Sequence, residues 1–548
     1  MIRSSGMKLP FARAFIFPLA ALFFAAPSVH ADKYPRQAGL DVRHYIFRIA
    51  LNDANEEISG SATLEIRFLE DDIARVSLDL ASASGGKGMT VSSVTCLGAP
   101  VPFSHASNRL TLTLLPPPKA GDRRQFTVEY HGVPADGLHI GKNKFGERTF
   151  FSNNWPDLAR QWLPTIDHPY DKASSEFLIT APAKYQVVAN GFLEEEEDLD
   201  GGLRMTHWNQ PEPIATWLNN IGVARFSARH FGAAAGIPLQ TWVFPQDRGA
   251  GILTFDEPVR HSIEFFQDRI GPYPYRKLAS VQATSFGGGM ENASAIFYGE
   301  KAVTGRAAFG LVSHEVAHQW FGDSVTEKDW DDVWLSEGFA TYFSLLAVEH
   351  YDGRDAFVDG LKARRTQIFD AEKQLPGIAV VQTQPWDGIP NAIVYLKGGW
   401  SLHLLRGLIG TERFWAGIRE YYRRYRDANA STADFEQVME ETSGMDLGWF
   451  FRQWLFRPGS PVLGGGWKYD PATKTIAIHL LQQQPGDAYR LPLEIGVFFP
   501  DGAVKQVEKI ELDRKEQQFE IKTDKEPSQV VLDPNTWMLF EDHFAGRH

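Results

Sequence analysis

The sequence predicts a multidomain α+β protein: an N-terminal β-domain, a mostly helical middle domain and a small C-terminal β-sandwich. Three observations carry this reading. From about Asp41 to Gly236, short runs alternate or stay apolar between turn residues. From Ala307 to Tyr425, apolar residues recur at helical spacing. After Pro461 the pattern returns to strands, and no helical stretch large enough for a domain follows residue 460. At 548 residues the chain can hold two or three domains. The divisions expected are 1–31 (leader), 32–238, 239–456 and 457–548.

The first residues carry Arg3, Lys8 and Arg13 and no acid, followed by the apolar run Ala14 to Phe24 and the small residues of Val29-His30-Ala31. That order predicts a cleaved secretory signal peptide, with Asp32 as the mature start and Met7 as an alternative initiator. The run is short of the ~20 residues that span a bilayer, and no later segment is apolar enough to cross one. Export to a periplasm or the exterior is the expectation. Cys96 is the one cysteine, so no intramolecular disulfide forms and the fold rests on its core. The formal charge of −13 argues against nucleic acid or an anionic membrane surface as partner.

The strands follow in order: Ile46 to Leu51, Ala62 to Phe68 and Leu110 to Leu114 read as β, and Glu194 to Glu197 as a solvated hairpin. A short β portion then leads to Gly287-Gly288-Gly289-Met290-Glu291-Asn292, after the strand Leu278 to Ala283. Glycines there let a backbone lie close to a bound chain, and Glu291 offers a fixed negative charge. Helical patterns cover Ala307–Phe321, Glu337–His350, Val394–Leu408 and Thr411–Tyr425. Arg457 to Pro461 marks the exit, and Thr475 to Leu480, Leu493 to Phe498 and Phe519 to Lys522 are strands of the last domain.

The chemistry concentrates in His314-Glu315-Val316-Ala317-His318. Histidines at i and i+4 share one helix face, so both imidazoles can meet one ion. Glu315 lies between them, where a carboxylate could take a proton from water at the metal. A catalytic zinc needs three protein ligands and an open fourth position. Glu337, at the start of a second helical pattern closed by Asp352-Gly353, is the expected third, provided two antiparallel helices return the chain to the metal.

These pieces together resemble the aminopeptidase N-like family of zinc metallopeptidases (gluzincins), which includes leukotriene hydrolase. The matching residues are Gly288 to Asn292, His314 to His318, Glu337, the segment Asn391 to Gly399 around Tyr395, Arg160 to Pro169 and Phe451 to Leu455. The resemblance implies a saddle-like N-terminal sheet and a thermolysin-like catalytic domain. It implies that His314, His318 and Glu337 hold one zinc ion and that Glu315 activates water and then protonates the leaving amine. Tyr395 would donate to the tetrahedral oxyanion. Gly288, Gly289, Met290 and Glu291 would bind the substrate, Glu291 by pairing with its free α-ammonium.

Two departures stand out. The family has a Gln or Glu before the arginine motif, whereas this chain has Asn154 among Ser152 to Asp157, so Asn154 is the substitute expected to contact substrate. Many relatives also end in a large helical domain, and nothing of that size follows residue 460. The reading implied is a zinc aminopeptidase acting on peptides with a free N-terminus, oligomeric state open. A zinc endopeptidase and a catalytically silent peptide-binding protein are the alternatives. Glu291 argues against the first, because it would face a neutral peptide bond unpaired.

Overall fold

Strand alternation builds the N-terminal part of the computed structural model, which describes residues 36–284, 286–381, 390–500 and 504–547. The expected signal peptide and its cleavage point lie outside the described residues. The strand Leu40–Ala50 buries Val42, then Tyr45, Phe47 and Ile49. The buried parity changes because a bulge falls between Val42 and His44, and one extra residue turns the rest of the strand over. This strand pairs antiparallel with Ile58–Phe68 and parallel with Lys172–Pro182, where Phe47 faces Phe177 with ring centroids 5.2 Å apart. It thereby sits centrally in an eight-stranded sheet. The run Glu194 to Glu197 is exposed on the edge strand Phe192–Leu199, solvated as expected.

The middle of the chain opens with a five-stranded sheet in the order Ser227–Ala234, Ile237–Val243, Leu278–Ala283, Ala295–Gly299 and Gly289–Met290. The helix α1 (Arg248–Arg269) interrupts it, in a stretch the sequence reading gave only a short β portion. Pro258 inside α1 masks the helical signal, since a proline has no N–H for the carbonyl four residues back. That carbonyl, on Thr254, instead accepts from Ala308 N at 3.2 Å, so the proline ties α1 to the chain just before α2 (Phe309–His318). Next come α3 (Trp334–Asp352) and α4 (Arg354–Gln374).

The helical pattern expected from Val394 begins instead as a π-helical turn, Ala392–Lys397, and continues as α5 (Gly398–Ile409). Then follow α6 (Thr411–Tyr425), α7 (Thr432–Ser443) and α8 (Gly448–Trp454). Among the described residues no helix follows α8. The C-terminal part holds a four-stranded and a three-stranded sheet. Lys172, on the N-terminal sheet, crosses to the helical part: its Nζ donates to the carbonyls of Asp323 and Ser324 at 2.9 and 2.8 Å.

Candidate active site

The helix α2 carries His314 and His318 one turn apart, and α3 brings Glu337 against them. The two Nε2 atoms are 3.2 Å apart, and Glu337 Oε2 lies 3.5 Å from His314 Nε2 and 3.3 Å from His318 Nε2. Ligand atoms at ~2.0–2.1 Å from one tetrahedral zinc are separated by about 3.3–3.5 Å, so the spacing fits. Glu337 Oε2 is buried with no hydrogen-bond partner, aimed at the point the imidazoles share. His318 Nδ1 lies 3.2 Å from the Phe321 carbonyl and 3.0 Å from Ser336 Oγ. A proton held on Nδ1 by that carbonyl leaves the Nε2 lone pair for a metal. Two imidazole nitrogens and a carboxylate are a donor set that could hold a zinc ion, with a fourth position left for water.

Burial pulls the His314 imidazole below its usual range. It also acts to raise Glu337, but His318 and His314 together overcome that and hold the carboxyl down at about 2. The same two histidines that face Glu337 across the candidate metal site keep it ionised.

Glu315 is buried behind Gly289 on the edge strand. A Cβ on Gly289 would sit 2.3 Å from the Glu315 carboxyl carbon, so only glycine leaves space for this side chain. Burial first, then the charge of Glu291, drives Glu315 well above the ordinary carboxylate range. Glu291 is pushed up to about 7, again mainly by burial. Its Oε1 has no hydrogen-bond partner and lies 4.0 Å from His318 Nδ1. Beside it, both amide atoms of Asn292 are buried and unpartnered. Glu291, Glu315 and His318 also place ligand atoms within 4.8 Å of one another, but Glu291 approaches His318 through Nδ1, the nitrogen that meets the Phe321 carbonyl. The first triad is therefore the better metal cage.

Tyr395 sits on the π-helical turn. Its hydroxyl donates to Glu337 Oε1, and its ring lies parallel to that of His314 at 6.2 Å. The turn reaches this position because α3 and α5 cross at glycines: a Cβ on Gly338 would lie 2.9 Å from the Gly398 carbonyl carbon. Thus the structure brings together His314, Glu315, His318, Glu337, Tyr395, Gly289, Met290 and Glu291, with Gly288 adjoining on the same strand edge.

Asn154 is fully buried, its Nδ2 donates to the Asn219 carbonyl at 2.7 Å and its Oδ1 accepts from Trp162 Nε1 at 2.9 Å. Each end of the amide thus has one bond within the protein, and the two together fix its orientation. Sequence reasoning assigned no role to Gln319. Its Oε1 accepts from Ser294 N (2.8 Å) and the Tyr273 hydroxyl (3.0 Å), while Nε2 donates to the Glu291 carbonyl (2.7 Å) and Asp323 Oδ2 (2.8 Å). Gln319 therefore bolts α2 to the loop that carries Glu291. Its place directly after His318 was the available signal.

Residues 42–218 match the Peptidase M1 N-terminal domain, and residues 256–454 match the Peptidase family M1 domain. Among curated proteins, the chain is 29% identical to glutamyl aminopeptidase of Sus scrofa over 326 residues, which is 56% of this chain and 34% of that protein. It is 28% identical to Tricorn protease-interacting factor F2 of Thermoplasma acidophilum over 68% of this chain and 49% of that protein. The matched region thus spans a third to a half of the length of these relatives. Among solved structures, a mutant M1 zinc metallopeptidase from Deinococcus radiodurans bound to a Tyr-Ser-Ala substrate superposes with a TM-score of 0.67. The sequence identity is 25%, over 79% of this chain and 96% of that one.

Proposed function

The chain belongs to the M1 peptidase family, and on that premise we propose that it is a zinc-dependent aminopeptidase that removes the N-terminal residue from peptides. The observation that carries the proposal is the buried Glu291 carboxyl, whose Oε1 has no hydrogen-bond partner and lies 4.0 Å from His318 of the candidate metal triad. A cationic α-ammonium is the group that would compensate it, and pinning that amine leaves only the first peptide bond within reach of the metal.

His314, His318 and Glu337 would hold one zinc ion. The ion supplies Lewis acidity at the scissile carbonyl and to the attacking water. Glu315 takes the proton as the water oxygen bonds to the carbonyl carbon, then delivers it to the amine nitrogen as the C–N bond breaks. The Tyr395 hydroxyl donates to the developing oxyanion. Gly288, Gly289 and Met290 let the substrate backbone run along the sheet edge.

The leader residues Arg3, Lys8 and Arg13, with the apolar run that follows, support export to a periplasm or the exterior. We take 32–238 and 239–456 as the N-terminal and catalytic domains, and 457–548 as a small β-sandwich built on the two C-terminal sheets. The test is a panel of aminoacyl fluorophores, each free and N-acetylated, run with a chelator and after zinc restoration. Chelator-sensitive cleavage confined to free amines is expected. Equal cleavage of acetylated substrates would move the assignment to an endopeptidase.

A further inference from the structure

Glu291 is aimed by the backbone beneath it, since its Oε1 accepts no hydrogen bond. That backbone turns at once: Ala295 N donates to the Asn292 carbonyl at 3.0 Å, and Ser294, third in the turn, has φ +64°. Such a position favours glycine, which has no Cβ to strain. The serine hydroxyl has a use here. Its Oγ accepts from Gly191 N at 2.7 Å and from Lys277 Nζ at 3.3 Å. The Ser294 carbonyl accepts from the same Nζ at 3.0 Å, and a third donation from Nζ, at 3.1 Å, reaches the Ala189 carbonyl. The three N–H groups of the ammonium thus meet three acceptors. Lys277 is buried, with its Nζ 5.1 Å from the centre of the Trp208 ring.

This latch joins distant parts of the chain. Ala189 and Gly191 flank Asn190 at the corner between the strands Gln186–Ala189 and Phe192–Leu199 of the N-terminal part. Asn190 adds a bond of its own, from Nδ2 to the Ala293 carbonyl at 2.8 Å. On the other side Ser294 N donates to Gln319, at the end of α2. The turn after Glu291 is therefore held between α2 and the N-terminal corner, with Lys277 bonded to both the turn and the corner. We propose that Lys277 is a positioning residue for recognition of the substrate's amine: by fixing Ser294 against the Ala189–Gly191 corner, it holds the turn that aims Glu291 at the α-ammonium. The proposal rests on the aminopeptidase reading. It deepens that reading by making affinity for the free amine depend on a seam with the N-terminal part, through a lysine that acts on Glu291 and not on the substrate.

The experiment reads kcat and KM for leucine anilide on zinc-loaded protein. Lys277→Met keeps most of the bulk and removes all three donations. Ser294→Gly suits the turn, which favours glycine, and removes only the hydroxyl contacts. Each is expected to raise KM by about three- to tenfold, with kcat per bound zinc within about twofold of wild type. Loss of folded protein would lower the apparent kcat and leave KM alone, so the split separates positioning from stability. In a Glu291→Gln background the same substitutions should move KM by less than about twofold, because the charge they position is already gone. A wild-type KM in both folded single variants would overturn the proposal. So would a KM effect that persists undiminished in the Glu291→Gln background. Should Lys277→Met not fold, Ser294→Gly decides by the same criterion. A wild type that cleaves N-acetylated leucine anilide as readily as the free form would overturn the aminopeptidase reading itself, and this proposal with it.

Discussion

Glu337 and Glu291 are the same residue type a few ångströms from one imidazole, His318, and their proton affinities part company. Two histidines hold Glu337 at about 2, whereas burial lifts Glu291 to about 7. The first is a ligand already ionised for a cation, and the second awaits a cation from outside the protein. The His314, Glu315, His318 and Glu337 group was legible in the sequence because its chemistry sits on a helical i, i+4 pattern with a second helix to return the chain. Tyr395 came from resemblance alone. How the Asn154 amide is held, by the Asn219 carbonyl and the Trp162 indole, has no signature in the sequence. Tyr395→Phe should lower kcat by about 10²–10³-fold with a smaller change in KM, the behaviour of a donor to a developing oxyanion. Steady-state kinetics on an aminoacyl fluorophore decides it, and an unchanged kcat would remove Tyr395 from the chemistry.

Among the elements, the most consequential contacts are those that patterns of hydrophobicity do not encode. Pro258 hides α1 from a sequence reading while freeing the Thr254 carbonyl to hold Ala308 at the start of α2. The π-helical turn at Ala392–Lys397 departs from the regular helix the pattern suggests, and such turns recur at functional sites. Gln319 joins α2 to the Glu291 loop with every hydrogen-bonding position of its amide engaged. Replacing it with leucine would leave buried groups at Glu291, Ser294 and Asp323 without a partner, at roughly 1–3 kcal/mol for each one left unsatisfied. Gln319→Leu should therefore lower the thermal midpoint and raise KM for free-amine substrates, with zinc still bound. A KM equal to wild type in a folded, zinc-loaded variant would show that the loop holds Glu291 in place without α2.

Across the whole molecule, His403 fastens the C-terminal part to the catalytic helices. It is fully buried on α5, with Nε2 donating to the Thr536 carbonyl at 2.8 Å, Nδ1 accepting from the Tyr342 hydroxyl at 3.0 Å, and its ring stacked on Trp537 at 4.9 Å. Burial drives the imidazole down to about 3. The unfolded chain binds a proton here below about pH 6.5, while the folded chain stays neutral until about pH 3. Stability from this group is thus fully present above pH ~6.5 and is lost on acidification, by about 1.4 kcal/mol per pH unit. The thermal midpoint of the wild type should accordingly approach that of His403→Gln as the pH falls from about 7 to about 4.5. A gap that stays constant over that range would refute the buried neutral imidazole. The division into an N-terminal β part, a helical part and C-terminal sheets was legible in residue patterning. The seams that join them, Lys172 to the Asp323 and Ser324 carbonyls and His403 to Thr536, are long-range polar contacts with no local signature.

The most direct measurement is zinc content and turnover of Glu315→Gln in a single preparation. About one zinc per chain is expected, because the three ligands are untouched, with turnover reduced by about 10²–10⁴-fold, because the proton acceptor is gone. Wild-type turnover would contradict the role of Glu315 as the base. Loss of the metal would make Glu315 a ligand and redraw the site.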